Sequence, residues 1–156
     1  MAGAAPVSSF ERLSIRGAVS ADLPAIVALD EAATGQAKPD YWRKLLASAD
    51  QSTAPDPVFL VAEADGRVIG FIAGNVRAFE FGSEPCGWVF ALNVDPSLRD
   101  MNAGTRLFEA LCARFRQAGV AKVRTMLARN NDLVLAFFRS LGMMAGPFIQ
   151  LEKDLD

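Results

Sequence analysis

The chain has 156 residues, the length of one globular domain, and 51% of them are hydrophobic against 22% charged. It contains no histidine, which excludes a Ser-His-Asp triad, a Cys-His pair and a histidine-based zinc site, and we expect no metal. The net charge of -2 argues against a nucleic-acid-binding protein, and no apolar run reaches the roughly 18 residues that a membrane span requires. Residues 1–11 lack the basic and apolar regions of a secretory signal, so we expect a cytoplasmic protein.

Taken in order, the chain predicts a flexible leader over residues 1–12 and a single domain over residues 13–156. The predicted elements are a strand Leu13–Val19, a helix from Ser20 to about Ala33, a helix starting at Pro39-Asp40, strands Val58–Ala64, Arg67–Ala78 and Trp88–Val94, a helix Ala103–Ala118, a strand Val120–Ala128, a helix from Asn131 or Asp132 to Leu141, and a strand Met143–Leu151. This order predicts an α/β or layered α+β domain. Its central sheet would be mixed and mostly antiparallel, with helices on both faces.

The stretch from Leu92 to Leu107 joins the end of an apolar strand to the start of an amphipathic helix. The chain breaks at Asp95-Pro96 and passes through the small residues Ala103 and Gly104. Unpaired amides at a helix start, together with the positive end of the helix dipole, form a site for phosphate. The residues before position 97 are net acidic and those from 97 to 139 net basic, which suits an anionic cofactor and a cationic substrate.

The same stretch resembles the acetyl-CoA loop of the GNAT superfamily of N-acetyltransferases, whose pattern is V-x-P followed by (Q/R)-x-x-G-x-(G/A). The matching residues are Asn93-Val94-Asp95-Pro96, Arg99, Asn102-Ala103-Gly104-Thr105 and Leu107. The resemblance implies that backbone amides from Arg99 to Thr105 hold the cofactor's pyrophosphate. Asn102 stands where the family has its first glycine, and Asn is one of the few other residues that tolerate a left-handed conformation.

A second block, Asn131 to Met143, resembles the family segment N-x-x-A-x-x-(F/L)-Y-x-x-x-G-F. There the Asn contacts the pantetheine arm, and the Tyr is often the acid that protonates the departing thiolate. This chain has Phe138 at the Tyr position, for which we expect a packing role against the cofactor arm. With both blocks, the resemblance implies these cofactor-binding residues: Leu92, Asn93, Val94, Arg99, Asp100, Met101, Asn102, Ala103, Gly104, Thr105, Asn131 and Phe138.

The chemistry implied by the resemblance is direct attack of an amine on the thioester. The backbone N–H of Val94, on a bulged strand splayed from its neighbour, would stabilise the oxyanion. Glu80 and Glu84 are candidates for the general base, with water or solvent as the alternative. Tyr41 is the only tyrosine; it could assist the leaving group or be part of the core. Cys86 and Cys112 are expected to be unreactive.

These patterns indicate an N-acetyltransferase that transfers the acetyl group of acetyl-CoA to a primary amine on a protein or a small molecule. The alternative is an acyl-CoA-binding sensor or regulatory module without catalysis, since Phe138 replaces the usual acid. A third option, a structural interaction protein, has only the lack of assigned catalytic groups in its favour. The expected partners are acetyl-CoA and an amine acceptor, without nucleic acid or membrane; a homodimer is left open.

Overall fold

The structure is a computed structural model that describes residues 13–50 and 56–156, with the backbone alone at residues 50, 99 and 100. The predicted leader over residues 1–12 lies outside the described residues. The regular elements are β1 (Ser14–Gly17), α1 (Leu23–Thr34), α2 (Pro39–Asp50), β2 (Val58–Ala64), β3 (Arg67–Arg77), β4 (Cys86–Val94), α3 (Ala103–Gln117), β5 (Val123–Thr125) and α4 (Asp132–Ser140). Short 3-10 turns precede α1, β4 and α3.

The strands form one sheet in the order β1-β2-β3-β4-β5. The first three pairings are antiparallel and the last, between β4 and β5, is parallel. The parallel pair requires a crossover, and α3 supplies it. The predicted mixed, mostly antiparallel sheet is therefore confirmed.

One face of the sheet packs against α1 and α2. Phe71 on β3 and Trp42 on α2 are 5.1 Å apart between ring centroids and cross edge to face. Trp42 donates its indole N–H to Asp30 of α1 at 3.0 Å, and Lys38 pairs with the same carboxylate. The buried residues of this cluster are Ala18, Ile26, Trp42, Leu46, Phe59, Val61, Phe71 and Ala73.

The other face packs against α3, and glycines allow the helix to come close. A Cβ built on Gly70 would lie 3.3 Å from Leu107, and one on Gly87 would lie 2.3 Å from the Phe115 ring. Leu107 and Phe115 are buried at opposite ends of α3. The helix therefore runs along the sheet with its N-terminus beside the end of β4, and the prediction of helices on both faces is confirmed.

Two β-bulges interrupt the ladder. Ala73 pairs with Ala91 but the next residue, Gly74, pairs with Val89, so Phe90 is an extra residue in β4. As a result Phe90 and Ala91 both pack towards the α1–α2 cluster. A second irregularity lies between β2 and β3, where Ile69 is the extra residue.

Two predicted strands differ from the structure. The strand expected over Val120–Ala128 is reduced to Val123–Thr125, because only these residues pair with β4. The strand expected over Met143–Leu151 is wrong: residues 127–156 contribute no strand to the sheet. Alternating apolar residues there suggested a strand, but Pro147 lacks an amide donor and strands form only with a partner.

The described residues separate into two compact units, one ending at Met126 and the other covering residues 127–156. The first holds the sheet with α1, α2 and α3, and the second holds α4 and the C-terminal segment. Among the described residues, no helix combines the length and apolarity of a membrane span.

Candidate active site

The loop after β4 is held by Asp95. Its backbone N–H donates to the carbonyl of Ile69 at 2.7 Å, and its Oδ1 accepts from the backbone N–H and the hydroxyl of Ser97 at 2.9 and 2.7 Å. Arg67 lies 3.5 Å from the other carboxylate oxygen. The Ser97 hydroxyl, the Ser97 amide and Arg67 together lower the pKa of Asp95 below its ordinary value. This carboxylate therefore stays charged and keeps the turn closed at neutral pH.

Asn102 occupies the residue before α3 in a left-handed conformation, with φ 59° and ψ 25°. The prediction that Asn replaces glycine here by adopting this conformation is confirmed. Its side chain makes no capping hydrogen bond, whereas its carbonyl accepts from Arg106 at 3.2 Å. The Asn102 side chain therefore does not cap the first amides of α3.

Residues at the start of α3 differ in burial. Met101 and Ala103 are buried and anchor the turn, while Gly104 and Thr105 are partly exposed. The Arg106 guanidinium donates to the carbonyl of Leu13 at 2.6 Å. The Arg99 and Asp100 side chains lie outside the described part of the chain, so their expected contribution stays a prediction.

Beyond Val89, no strand pairs with β4 on its β5 side within residues 13–50 and 56–156. β5 pairs only with Gly87–Val89 and ends at Thr125, whose hydroxyl donates to the carbonyl of Val89 at 2.9 Å. The Asp95 N–H points towards β3, and the N–H groups of successive residues in a strand point to opposite sides. The N–H groups of Leu92 and Val94, an odd number of residues from Asp95, therefore point away from β3. The structure thus brings two backbone donors to the opening beside the start of α3.

Asn93 lies on the opposite face of β4 from Val94. It pairs with Phe71, which packs against α1 and α2, whereas Val94 pairs with Gly70 on the α3 face. The Asn93 side chain therefore lies on the α1–α2 side of the opening.

Glu80 and Glu84 are exposed in the loop between β3 and β4. This loop enters β4 at Cys86, whereas Val94 is at the other end of the strand. At about 3.3 Å per residue, the length of β4 separates the two ends by roughly 26 Å. The role of either carboxylate as general base stays a prediction.

The second block, residues 131–143, lies in the unit that covers residues 127–156. The Asn131 side-chain oxygen accepts from the amide of Val134 at 3.2 Å and so caps α4. Of the two starting residues that the sequence offered, Asn131 and Asp132, the structure selects Asn131 as the cap. Phe138 is buried and meets Phe137 edge to face at 5.2 Å between centroids. Their expected contacts with a cofactor arm stay predictions.

The remaining candidates differ in their surroundings. Tyr41 is 51% exposed and touches the buried Trp42 by its edge, so it is a surface residue and not part of the core. Burial raises the pKa of the Cys112 thiol, which keeps it protonated and unreactive. No group of three or more metal-ligating side chains occurs within residues 13–50 and 56–156.

The structure also brings together three residues that sequence analysis did not select. The Arg77 guanidinium lies over the Trp88 ring, 4.5 Å from its centroid. Asn75 is the cross-strand partner of Trp88, and its side-chain oxygen is buried without a hydrogen-bond partner in the described structure. Asn75 could have been selected from the sequence as a polar residue inside an apolar strand. Its position opposite Trp88 could not have been predicted, because it depends on the register of β3 and β4.

The chain was compared with known proteins. The family model described as acetyltransferase (GNAT) family matches residues 23–143. A mycothiol acetyltransferase from Saccharomonospora viridis is 33% identical over 90 residues, covering 56% of this chain and 29% of that protein. An L-2,4-diaminobutyric acid acetyltransferase from Nocardia farcinica is 31% identical over 87 residues, covering 56% of this chain and 44% of that protein. The matched parts are therefore less than half of either relative.

Among solved structures, the aminoglycoside N-acetyltransferase AAC(6')-Iy in complex with CoA is similar with a TM-score of 0.78 at 17% identity. The match covers 91% of this chain and 94% of that one. At this identity the likeness establishes the fold. Because the family model matches well over half of the chain, across β4, its loop and α4, the chain belongs to the acetyltransferase (GNAT) family.

Proposed function

We propose that this chain binds acetyl-CoA at the opening beside β4 and transfers the acetyl group to a primary amine. The observation that carries the proposal is the junction of β4 and α3. Among the described residues, a strand edge with two outward amides and no strand partner there meets a helix start at a left-handed Asn102 whose side chain makes no capping hydrogen bond. These are the features that an extended thioester arm ending in a pyrophosphate requires.

The amides at the start of α3 would accept the pyrophosphate. The helix dipole favours its negative charge, and Gly104 leaves room for close backbone approach. The arm would then run along β4 between Val94 and Leu92, whose N–H groups point into the opening. One of these amides would donate to the thioester oxygen as negative charge develops on it.

In the reaction, the amine lone pair attacks the thioester carbon, and the oxyanion forms against the β4 amides. The C–S bond then breaks, releasing the CoA thiolate, and the proton of the new ammonium passes to water. Because Glu80 and Glu84 lie at the other end of β4, we assign proton removal to water, with these carboxylates as the alternative. Phe138 cannot donate a proton, so the thiolate would leave unassisted by a side chain at that position.

We infer the class of amine acceptor from the names of the relatives. Two are named for mycothiol and L-2,4-diaminobutyric acid, and several structural neighbours for aminoglycosides. These names favour a small amine over a protein lysine or N-terminus.

The first test measures thermal stability with acetyl-CoA. A ligand at about 100 times its Kd adds roughly 2.7 kcal/mol to the free energy of unfolding. Gly104→Glu should abolish this gain, because it places a carboxylate against the pyrophosphate while leaving a residue that suits the first turn of a helix. Ala113→Glu, on the exposed side of α3, adds the same charge and should keep the gain. No stabilisation of the unmutated protein would contradict the proposal.

The second measurement separates enzyme from sensor. Release of the free CoA thiol with a panel of amines is expected from an acetyltransferase. A sensor would be stabilised by acetyl-CoA without releasing thiol. Glu80→Gln combined with Glu84→Gln should leave the rate unchanged if water removes the proton, and lower it if either carboxylate does.

A further inference from the structure

A polar cluster lies at the end of the sheet where the β3–β4 loop begins. Asn75 and Arg77 are two residues apart on β3, so both side chains lie on the same face as Trp88, the cross-strand partner of Asn75. This face is opposite to the one that packs on α3, because the neighbouring Gly74 and Gly87 face Phe115. All three side chains are half-buried, and they lie on the same face of the sheet as Asn93.

Asn75 presents an acceptor that the fold does not use. Its Oδ1 is buried and receives no hydrogen bond from the described residues. A buried oxygen without a donor is costly, so such an atom in a native structure calls for a partner. An N–H group of a bound molecule would supply it.

Arg77 presents a cation that is stacked on an aromatic ring. Its guanidinium stacks on Trp88, and it forms no ion pair with a carboxylate in the described part of the chain. A stacked guanidinium keeps its N–H groups at the edge of the plane, where they bind a carboxylate in a bidentate manner. The cluster therefore combines one site for an N–H donor with one for a carboxylate.

We propose that the amine acceptor is an α-amino acid that carries a second amine on its side chain. Its carboxylate binds Arg77, its α-ammonium donates to Asn75 Oδ1, and its carbon chain lies over Trp88. This inference rests on the proposed acetyl transfer and names the substrate class for it. An α-amino acid fits because it holds an N–H donor and a carboxylate on one carbon, as the adjacent Asn75 and Arg77 require.

The second amine is the one that reacts. Trp88 and Leu92 are separated by roughly 13 Å along β4, and the bulge at Phe90 shortens this distance. The α-amine held at Asn75 is too far from the Leu92 amide to be acetylated. A side-chain amine at the end of several methylene groups approaches the thioester from this position. It attacks the carbonyl carbon, the C–S bond breaks, and its proton passes to water.

The test uses matched acceptors with the purified protein and acetyl-CoA. Ornithine is compared with putrescine, which lacks the carboxylate, and with 5-aminovalerate, which lacks the α-amine. Lysine, cadaverine and 6-aminohexanoate form the corresponding set with a longer chain. We expect kcat/KM for CoA thiol release to be at least tenfold higher for one of the amino acids than for both of its analogues. This difference should come from a lower KM for the amino acid.

Arg77→Met should remove the preference over the diamine by raising KM for the amino acid, with little change for the diamine. Arg77→Lys, which keeps the charge but not the planar fork, should retain part of it. Asn75→Ala should remove the preference over the analogue that lacks the α-amine. Arg114→Met, at an exposed arginine in the last turn of α3, is the control. It should change neither the preference over the diamine nor the preference over the analogue that lacks the α-amine.

Equal kcat/KM for the amino acid and its diamine, or a preference that survives Arg77→Met, would overturn the inference. In that case, thiol release with the diamines would still support acetyl transfer. The inference is also overturned if acetyl-CoA stabilises the protein but the protein acetylates none of these amines. Failure of acetyl-CoA to stabilise the protein would instead remove the proposed function on which the inference rests.

Discussion

Asn102 shows how one residue adapts the loop between β4 and α3. The GNAT pattern has glycine there because the backbone must turn with a positive φ, and Asn102 adopts φ 59°. Its side chain makes no capping bond, so it leaves the first amides of the helix open. The residue type and the conformation therefore agree with the prediction made from sequence.

Substitution of Asn102 should separate backbone conformation from side-chain chemistry. Asn102→Gly is expected to keep or raise the free energy of unfolding, because glycine carries no Cβ. Asn102→Ala should lower it by about 1 kcal/mol, because alanine lacks the short polar side chain that lets Asn tolerate the left-handed region. Urea unfolding of the two variants provides the comparison. If Ala were as stable as Gly, the left-handed turn at this position would be refuted.

At the scale of elements, the contact between α3 and the sheet sets the position of the helix start. Gly70, Gly74 and Gly87 face the helix, and a Cβ on Gly74 would lie 2.6 Å from the carbonyl oxygen of Trp88. The absence of side chains there lets Leu111 and Phe115 lie directly on the strands. The three glycines therefore mark the close approach of α3 to the sheet.

Gly87→Ala tests this packing. The new methyl group would lie 2.3 Å from the buried Phe115 ring, so we expect a loss of about 1–3 kcal/mol in the free energy of unfolding. Phe115→Leu should relieve the clash, making the double variant more stable than the sum of the single changes predicts. Gly17→Ala, with no atom near its added Cβ, serves as the control. Strictly additive effects would show that the two residues do not clash.

For the whole molecule, ion pairs join the first strand to the rest of the sheet unit. Arg16 on β1 donates to both oxygens of Asp22 at 2.8 and 2.9 Å and to Glu63 on β2 at 2.6 Å. Asp22 also accepts from the amide of Val19. The hydrogen bond from Arg16 is the largest cause of the lowered pKa of Asp22. No local pattern in the sequence predicted this contact.

The lowered pKa of Asp22 links stability to pH. Its carboxylate stabilises the folded state at every pH above its ordinary value of 3.8, and this contribution is lost as the pH falls through the folded pKa. Asp22→Asn should therefore cost about 1–2 kcal/mol at pH 7, discounted because Arg16 is partly exposed, and less as the pH falls below about 3.8. Urea unfolding at pH 7 and pH 3 measures both values. Asp40→Asn, in an exposed pair, should show no comparable difference, and a pH-independent cost at Asp22 would contradict the linkage.

Local patterns in the sequence predicted most of the elements and the cofactor loop. Alternating and helical spacing of apolar residues located β2 and α3 closely, and short-range chemistry identified Asn102 and the cap at Asn131. These features depend on residues close together in the chain. Alternation also suggested a strand over Met143–Leu151, where it failed, since a strand requires pairing that no local pattern supplies.

Strand register decided the rest. The end of β5 at Thr125 leaves β4 beyond Val89 without a strand partner on that side among the described residues, and apolar spacing does not predict where β5 ends. The same register places Glu80 and Glu84 at the far end of β4 from Val94 and puts Asn75 opposite Trp88. The sequence alone determined that the chain has a GNAT-type loop, because that loop is a local backbone motif. Only the tertiary structure determined which side chains surround the opening, because those neighbours come from different strands.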